Sequence, residues 1–470
     1  MLNFGGKSVP GCDGVSRRGF LRAGSLGVAG LTLADVLRLE ALAGVGSSRK
    51  AVINIHLDGG PPQMDLIDPK ADAPSEIRGP FSEIRTKIPG VHFTELLPKL
   101  AKDADKFVFL RSLVGAAGRH DAFQCQSGFN SKDLAGIGGR PALGCVVSML
   151  QGKATDTAPA FVDLMQGRPF ARNSARPGFI GPAYRPFRPD LSHLFKRELE
   201  PGMKEELARL GEGHTLELDL ADGLTSGRMQ DRVTLMRQVD EMRRGIDRHA
   251  SIAALDRFTQ QAMGILSSGK FAAALDLSRE DPKLIERYSP RLKMPDERHY
   301  TTEGPEGCKK FLLARRLIEA GVRCVSVSLS DFDTHSANFH RMEYMGPLMD
   351  HAIHTLVTDL EERGMLDDVM IIAWGEFGRT PKVNSKTGRD HWPRVAMGIM
   401  AGGGMSGGQV IGATDRLAGE ATSRPVHYQD VIATLYRHLG IDAQNITLED
   451  ITGRPQYLVD VGNPISELVG

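Results

Sequence analysis

Carboxylate and imidazole side chains follow the ends of three short apolar segments in this sequence of 470 residues. The segments are 51–57, 322–329 and 369–374. The side chains that follow them are Asp58, Asp331, Asp333, His335, Glu376 and His391. Carboxylates and imidazoles that converge on one place repel one another or need pairing, unless a divalent cation lies among them. The pattern therefore predicts a metal site with these residues as ligands.

The mixture of donor atoms indicates which metal would bind. Carboxylate oxygens combined with imidazole nitrogens suit Zn²⁺ or Mn²⁺, whereas oxygen ligands alone suit Ca²⁺ or Mg²⁺. We expect a divalent metal cofactor, with zinc favoured and manganese or calcium as alternatives. Divalent cations at such a site polarise an ester oxygen, lower the pKa of a nucleophile and stabilise a leaving group. The residue types thus point to hydrolysis of phosphate or sulfate esters.

Each ligand candidate also has a simpler explanation when it is taken alone. Asp58 begins an Asp-Gly-Gly sequence that suits a turn. Glu376 fits the start of a solvated loop, and His391, beside a tryptophan, fits a structural role. The metal site is favoured because the residues occur jointly at strand ends.

His120 lies where the predicted helix "DAFQCQSGF" begins, and we take it as the candidate catalytic residue. Three roles are open to it: general base, metal ligand or nucleophile. Other polar residues near the motifs are candidates for the same pocket. They are Asp65, Asp121, Arg379 and Asp390.

Strand and helix segments alternate along much of the chain. Apolar segments typical of buried strands also occur at 106–110 and 395–401. Segments with helical periodicity, at 308–321 and 342–364, precede two of the strands. This alternation predicts an α/β fold in which helices cover both faces of a mostly parallel sheet. In such sheets the chemistry lies beyond the carboxyl ends of the strands.

Two regions depart from this alternation. Residues 191–290 are charged and amphipathic without comparable strand segments, which predicts a helical insertion. The N-terminal region resembles a twin-arginine export signal, because Arg17 and Arg18 precede a weakly apolar stretch and Ala41–Ala43 has a small-x-small pattern. An amphipathic helix is the alternative, and the stretch is too short to span a membrane stably.

The export signal has consequences for domain organisation and location. We expect a signal peptide at 1–43 and a mature domain at 44–470 that needs the twin-arginine export machinery as a partner. The mature protein would be periplasmic or otherwise exported, with no stable membrane span. Basic and acidic residues are balanced at 58 each, so no basic field for nucleic acid is expected. Four widely spaced cysteines follow the signal, and we favour buried free thiols over disulfides.

Four motifs carry a resemblance to a known family: "GGPPQMDLIDPKADAPSEIRGPF", "DTHSANF", "GEFGRTPKVN" and "GRDHWP". They resemble the twin-arginine-exported proteins of domain-of-unknown-function family 1501. That family is grouped with the alkaline-phosphatase and sulfatase-like superfamily, whose members are αβα sandwiches with one or two metals. The resemblance implies an alkaline-phosphatase-like three-layer sandwich.

The resemblance also implies roles for individual residues. Asp58 matches the superfamily's first metal-binding aspartate, at the end of the first strand. Asp331 and His335 have the spacing of its Asp-x-x-x-His pair, and His391 matches its last metal-binding histidine. Asp333 belongs to the family's own Asp-Thr-His motif.

Three departures from the superfamily pattern bear on activity. Glu376 and Phe377 stand where the superfamily usually has Asp-His, and Pro62 and Gln63 stand where the family often has Ser-His. The position expected for a nucleophilic Ser, Thr or Cys falls on Gly118. The missing nucleophile counts against catalysis, but retention of the other ligand-type residues supports a metal-dependent hydrolase of phosphate or sulfate esters on small-molecule or polysaccharide-derived substrates. The alternative is a non-catalytic binding or envelope-associated protein that keeps the fold.

Overall fold

The structure is a computed structural model that describes residues 50–120, 123–130, 137–153, 155–165, 175–189, 191, 265, 269–292 and 304–468. Three predictions fall outside these residues: the export signal at 1–43, Asp121, and most of the insertion at 191–290. All three stay predictions.

Strands and helices alternate along the described chain. The strands are β1 (Ala51–Leu57), β2 (Glu83–Arg85), β3 (His92–Thr94), β4 (Phe107–Val114), β5 (Phe161–Asp163), β6 (Cys324–Leu329), β7 (Val369–Trp374), β8 (Gly378–Arg379), β9 (His391–Trp392), β10 (Ala396–Gly402), β11 (Gln409–Ile411), β12 (Ala413–Thr414), β13 (Ala421–Ser423), β14 (Val426–His427), β15 (Thr447–Glu449) and β16 (Pro455–Tyr457). The helices are α1 (Ser75–Arg78), α2 (Pro98–Lys102), α3 (Gln124–Ser127), α4 (Leu143–Gln151), α5 (Lys270–Leu275), α6 (Pro282–Arg287), α7 (Lys309–Glu319), α8 (Asn338–Glu362) and α9 (Tyr428–His438).

The main sheet has the strand order β11-β4-β10-β7-β1-β6-β5, and β14 also pairs with β4. Strand β10 runs antiparallel to its neighbours β7 and β4. The other strand pairs that the structure describes in this sheet are parallel. The predicted mostly parallel sheet is confirmed, and the reversed direction of β10 is a feature that the sequence did not reveal.

Side chains along β1 alternate between two hydrophobic clusters, one on each face of the sheet. Ile53, Ile55 and Leu57 pack with buried side chains of α7 and α8. Val52 packs in the second cluster, with α4 and α9. Helices therefore cover both faces, which confirms the predicted α/β fold with three layers.

One edge of the sheet collects the loops that carry the candidate ligands. His56 near the end of β1 is aligned with Ser328 of β6 and with Trp374 of β7. Gly398 of β10 also pairs with Trp374. Because β10 runs in the opposite direction, its beginning rather than its end lies at this edge. The segment before β10, which contains His391, is thereby brought to the carboxyl ends of β1, β6 and β7.

The described part of the predicted insertion is helical. Residues 269–290 form α5, a 3₁₀ turn and α6, with no strand among them. Helix α5 packs on α7, where Arg316 donates hydrogen bonds from Nε to the carbonyl of Ala274 (2.9 Å) and from Nη2 to that of Ala273 (2.6 Å). No helix in the described ranges is long and apolar enough to cross a membrane.

The four cysteines after the predicted signal are buried and form no disulfide with one another, as expected. They are Cys125, Cys145, Cys308 and Cys324. Burial raises the pKa of Cys324 to about 12 and that of Cys125 well above its ordinary value. Thiols held neutral in this way are inert, so these two are not nucleophiles.

Candidate metal centre

Two glycines after β1 allow three loops to approach one another closely. Gly59 has a φ of 100° and Gly60 a φ of 75°, conformations that glycine adopts without strain. A Cβ atom at Gly59 would lie 2.3 Å from the backbone nitrogen of Asp333, and one at Gly60 would lie 2.5 Å from the Phe377 ring. The Gly-Gly pair is therefore required by the contact among the loops after β1, β6 and β7.

Four side chains form what we call the outer group: His120, Asp333, His335 and His391. Three of their donor atoms make a nearly regular triangle. His335 Nε2 lies 3.1 Å from His391 Nε2 and 3.1 Å from Asp333 Oδ1, and His391 Nε2 lies 3.4 Å from the same oxygen. Ligands at about 2.0–2.1 Å from a tetrahedral zinc ion are about 3.3 Å apart. The triangle has the dimensions of one face of such a site.

The second ring nitrogens of two of these histidines are held from behind. His335 Nδ1 lies 2.6 Å from Asp390 Oδ1, and His391 Nδ1 lies 3.1 Å from the carbonyl oxygen of Gly118. A metal-binding histidine characteristically donates its other N–H to a carboxylate or a carbonyl, which orients the ring and increases its basicity. Both imidazoles thus have the support expected of metal ligands.

A second set of donors, which we call the inner group, consists of His56, Asp58 and Glu376. Their ligand atoms lie within 4.8 Å of one another, and the three side chains are buried. The Glu376 carboxylate also accepts a hydrogen bond from the Gly59 backbone N–H at 3.0 Å. Neither nitrogen of His56 has a hydrogen-bond partner in the described part of the chain. The inner group is therefore polar, buried and incompletely paired.

His120 connects the two groups. Its Nε2 lies 3.0 Å from Asp333 Oδ2, and its Nδ1 lies 3.0 Å from Glu376 Oε1. Burial lowers the pKa of His120, but hydrogen bonds to both carboxylates outweigh burial and raise this pKa to about 9. The ring stays partly accessible to solvent, at 17% exposure. Its position between two carboxylates makes it the described side chain best placed to hold a proton at the centre.

Arg379 is fully buried and fixes the loops around the site. It donates hydrogen bonds to the carbonyl oxygens of Gly59, Gly60 and Arg389, and to Asp333 Oδ1 at 2.6 Å. Burial raises the pKa of Asp333. Hydrogen bonds from His120 and the positive charge of Arg379 outweigh burial, so this pKa lies far below its usual range. The carboxylate of Asp333 is thus kept ionised, as a metal ligand must be.

Most of the predicted site residues lie in or beside the two groups, but not all of them do. His120, Asp333, His335 and His391 lie in the outer group, and Asp58 and Glu376 lie in the inner group. Asp390 stands behind His335, and Arg379 braces Asp333. Asp331 has a φ of 85° and belongs to neither of the two groups found among the described residues.

Asp65, another predicted pocket residue, takes part in a different interaction. Its two carboxylate oxygens accept hydrogen bonds from Arg389 Nε (2.8 Å) and Nη2 (2.7 Å), and Asn338 donates a third at 2.7 Å. Asp65 and Arg389 are fully buried. Asp65 therefore serves as a structural anchor for the loop that carries Arg389.

His56 is the member of the centre that the sequence did not single out. It interrupts the apolar segment "AVINIHL". The signal that could have identified it is a polar residue inside a strand that helices cover on both faces. The nitrogen and oxygen donors of the outer group and their spacing fit a divalent cation of the zinc type. The outer group would hold it through Asp333, His335 and His391.

Comparison with known proteins gives a family and a set of folds. The family described as "Protein of unknown function (DUF1501)" matches residues 49–469. Among solved structures, the PsFucS1 sulfatase from Pseudoalteromonas sp. is 14% identical, with 92% of this chain and 73% of that chain covered and a TM-score of 0.37. The phosphonate monoester hydrolase SpPMH from Silicibacter pomeroyi is 11% identical, with 85% and 74% covered and a TM-score of 0.32.

A third similar structure is the lipoteichoic acid synthase LtaP from Listeria monocytogenes, at 9% identity. The match covers 82% of this chain and 75% of the LtaP chain, with a TM-score of 0.32. No curated protein matches the chain. At these identities the likeness concerns the fold alone, so the chemistry has to be derived from the side chains of this chain.

Proposed function

The chain belongs to the DUF1501 family, and from the side chains of its site we propose that it is a metal-dependent hydrolase of phosphate or sulfate esters. The observation that carries the proposal is the triangle formed by Asp333 Oδ1, His335 Nε2 and His391 Nε2, with edges of 3.1, 3.1 and 3.4 Å. Three converging donors that leave a fourth position open are typical of a catalytic rather than a structural zinc site.

Each residue around the triangle has a task that its contacts define. Asp390 and the Gly118 carbonyl orient the two imidazoles, and Arg379 holds Asp333 in place. His120 would hold a proton on Nε2, between the two groups, and deliver it to the departing oxygen of the ester. A bound divalent cation would polarise the ester and stabilise the negative charge that develops.

The site is open to substrate on the side of the outer group. The His335 side chain is 47% exposed, and that of Asp390 is 52% exposed, whereas the inner group is buried. An ester would therefore approach the triangle from solvent and meet His120 before it meets the inner group. Small-molecule esters and esters at the ends of polysaccharide fragments are the substrates that such an accessible site can receive.

One observation favours a second candidate function, a binding or envelope-associated protein without catalysis. Gly118 has no side chain to act as a nucleophile. Of the nearby thiol and hydroxyl groups, Cys125 is buried and Ser127 Oγ donates its proton to the Phe123 carbonyl. A hydrolase of this kind would have to activate water directly or use His120. A binding protein would need neither.

Assays with aryl phosphates and aryl sulfates separate these candidates. Wild-type protein, stripped by chelator and reloaded with Zn²⁺, Mn²⁺ or Ca²⁺, should hydrolyse at least one of the two ester classes. The variant His120→Asn should keep its cation content and lose about 10²–10⁴-fold in kcat. The matched control His354→Asn alters a histidine on α8 that pairs with Asp103, and it should change neither property. A metal-loaded wild type that is inactive on both classes would support the binding protein.

We also propose that the protein acts outside the cytoplasm after twin-arginine export. Arg17 and Arg18 support this proposal. Replacing both by lysine keeps the charge but changes the shape that the export receptor reads. The double variant should stay in the cytoplasmic fraction, and unchanged export on fractionation would contradict the proposal.

A further inference from the structure

A groove on the surface of the C-terminal segment combines one exposed aromatic ring with amide and carboxylate side chains. Its volume is about 310 Å³, at the lower limit of the range of about 300–1,000 Å³ that is usual for ligand sites. Tyr457 is one of the large apolar residues that the described part of the chain leaves exposed, at 53%. The side chains that give the groove its chemistry are Gln444, Tyr457, Asp460, Val461 and Asn463.

The polar side chains of the groove provide both hydrogen-bond donors and acceptors. Gln444 Nε2 donates a hydrogen bond of 2.5 Å to Asn463 Oδ1. This bond uses the nitrogen of one amide and the oxygen of the other, so an acceptor on Gln444 and a donor on Asn463 remain for a ligand. Asp460 adds a carboxylate that is 48% exposed and that Arg140 Nη2 approaches no closer than 3.4 Å.

The charge of the groove selects an uncharged ligand. Among the described residues that line it there is no lysine or arginine, and Asp460 is negative. A phosphate or sulfate group would therefore be repelled here. A sugar ring matches what the groove offers, because its C–H face packs on an aromatic ring while its hydroxyls donate and accept hydrogen bonds.

Helix α9 fixes the backbone of the groove. Gln429 Oε1 accepts hydrogen bonds from the backbone N–H groups of Asp460 (2.8 Å) and Val461 (3.1 Å). Asp430 Oδ1 accepts a third, of 2.9 Å, from the backbone N–H of Asn463. The groove is thus formed before a ligand binds, which lowers the entropy cost of binding.

The same end of α9 also contacts the loops of the metal centre. The Tyr428 hydroxyl donates a hydrogen bond of 2.8 Å to the carbonyl of Gly375, and Gly375 directly precedes Glu376 of the inner group. A Cβ atom at Gly115, in the segment after β4, would lie 2.3 Å from His427 Nε2. The groove and the metal centre are therefore attached to the same helix end, at the carboxyl end of β7.

We propose that this groove binds uncharged sugar rings of a polysaccharide-derived ester whose ester group lies at the metal centre. A sugar ring packs on Tyr457, and its hydroxyls bond to Gln444, Asp460 and Asn463. The groove thereby favours esters carried on a glycan over esters of small molecules. The inference rests on the proposed function for the place of the ester group, whereas the side chains of the groove carry the binding of sugar independently.

Binding of neutral tetrasaccharides tests the inference without any hydrolysis. The probes are unmodified tetramers of glucose, galactose and mannose, in α- and β-linked forms, offered to chelator-stripped protein and followed by saturation-transfer NMR. At least one should bind. Tyr457→Ala should weaken its binding about 10-fold, whereas Tyr457→Phe keeps the ring and most of the affinity. Ile451→Ala is the matched control, because this residue is 72% exposed beside β16 but does not line the groove.

Crystals of the wild type soaked with the bound tetramer keep the test independent of variants, and they should show a sugar ring on Tyr457. No binding by any tetramer, or equal binding by wild type and Tyr457→Ala, would overturn the inference. Binding in the groove without hydrolysis of aryl phosphates or aryl sulfates would contradict the hydrolase proposal and leave the groove as the site of a sugar-binding protein. Hydrolysis of an aryl ester with no tetramer bound would have the opposite meaning.

Discussion

Carboxylates cluster near both ends of helix α8, but only those near its last turn are matched by an equal number of guanidinium groups. Before its first residue, Asn338, the chain carries Asp333 and His335 of the metal centre. At its last turn, roughly 37 Å away for 25 residues at 1.5 Å each, lies a group that we call the arginine network. Its members are Glu280, Arg315, Arg316, Glu319, Asp359 and Arg363.

The arginine network is complete without any further ion. Three guanidinium groups face three carboxylates, and Arg315 alone contacts Asp359 at 3.0 Å, Glu319 at 2.5 Å and Glu280 at 2.7 Å. Tyr288 adds a hydrogen bond to Asp359 at 2.9 Å. Charges and donors are balanced, so this network is explained as structure.

The metal centre is incomplete by the same measures. It has four carboxylates, from Asp58, Asp333, Glu376 and Asp390, but only two cationic side chains, Arg379 and the protonated His120. The Nε2 atoms of His335 and His391 lie 3.1 Å apart, and neither nitrogen of His56 has a hydrogen-bond partner among the described residues. Because buried carboxylates are otherwise paired, as in the arginine network, the deficit of positive charge marks the place where cations bind. Four predictions test whether this distinction holds.

The largest effect is expected in the arginine network. Arg315→Ala leaves Asp359 buried without its guanidinium partner, so the free energy of unfolding should fall by about 3–5 kcal/mol in urea titrations. The content of bound zinc should not change. Arg291→Ala, which removes an exposed ion pair with Glu286, is the control and should cost less than about 1 kcal/mol. Loss of zinc from Arg315→Ala would show that the two ends of α8 are not independent.

The converse is expected at the metal centre. His335→Ala removes one corner of the outer triangle, so zinc affinity should fall more than about 100-fold, or about 2.7 kcal/mol, in competition titrations with a chromophoric chelator. Stability of the metal-free protein should change by less than about 1 kcal/mol, because the side chain is half exposed. His354→Ala is the matched control. Unaltered zinc affinity in His335→Ala would remove the outer group from the metal site.

The sequence predicted the strands that surround the site more completely than the contacts within it. Segments of apolar and β-branched residues identify β1, β6, β7 and β10, because a buried strand needs such side chains over its whole length. Strand direction is not encoded in composition, and the reversal of β10 therefore appeared only in the structure.

Contacts between distant residues set the limit of prediction within the site. Asp65 lies close to the Gly-Gly-Pro motif, which suggested a pocket residue, but its partner Arg389 is 324 positions away. In the sequence, His56 is only a polar interruption of an apolar strand segment. Its relation to Glu376 depends on how β1 and β7 are paired. Spacing along the chain revealed His335 and His391, whereas the register of the sheet was needed for His56.

A smaller effect should distinguish the two regions by pH. Burial raises the pKa of Glu280, but hydrogen bonds from Arg315 and Arg316 outweigh it and lower this pKa to about 2. A lowered pKa means that the ionised carboxylate stabilises the fold at neutral pH and loses this contribution as the pH falls from about 4.5 to about 2. Comparing wild type with Glu280→Gln, both free of metal, should show a stability difference of roughly 2–3 kcal/mol at pH 6.

The same difference should shrink towards zero at pH 2, where Glu280 becomes protonated in the folded protein as well. Urea titrations at the two pH values measure it. A difference that does not depend on pH would show that Glu280 contributes through packing and neutral hydrogen bonds. The arginine network would then be less dependent on charge than its geometry indicates.

The smallest effect concerns Asp390, which touches the metal centre only through His335. Its carboxylate lies 2.6 Å from His335 Nδ1, and the hydrogen bond from His335 lowers the pKa of Asp390. Asp390→Asn keeps the size of the side chain but removes the negative charge that makes the imidazole a stronger donor to a cation. Zinc affinity should fall about 10-fold, or about 1.4 kcal/mol, without a measurable change in stability. Asp103→Asn is the control, because Asp103 stands 2.7 Å from His354 in a histidine–carboxylate pair far along α8. Equal zinc affinities in Asp390→Asn and wild type would mean that the backbone alone orients His335. Asp390 would then have a structural role, like the carboxylates of the arginine network, and no role in metal binding.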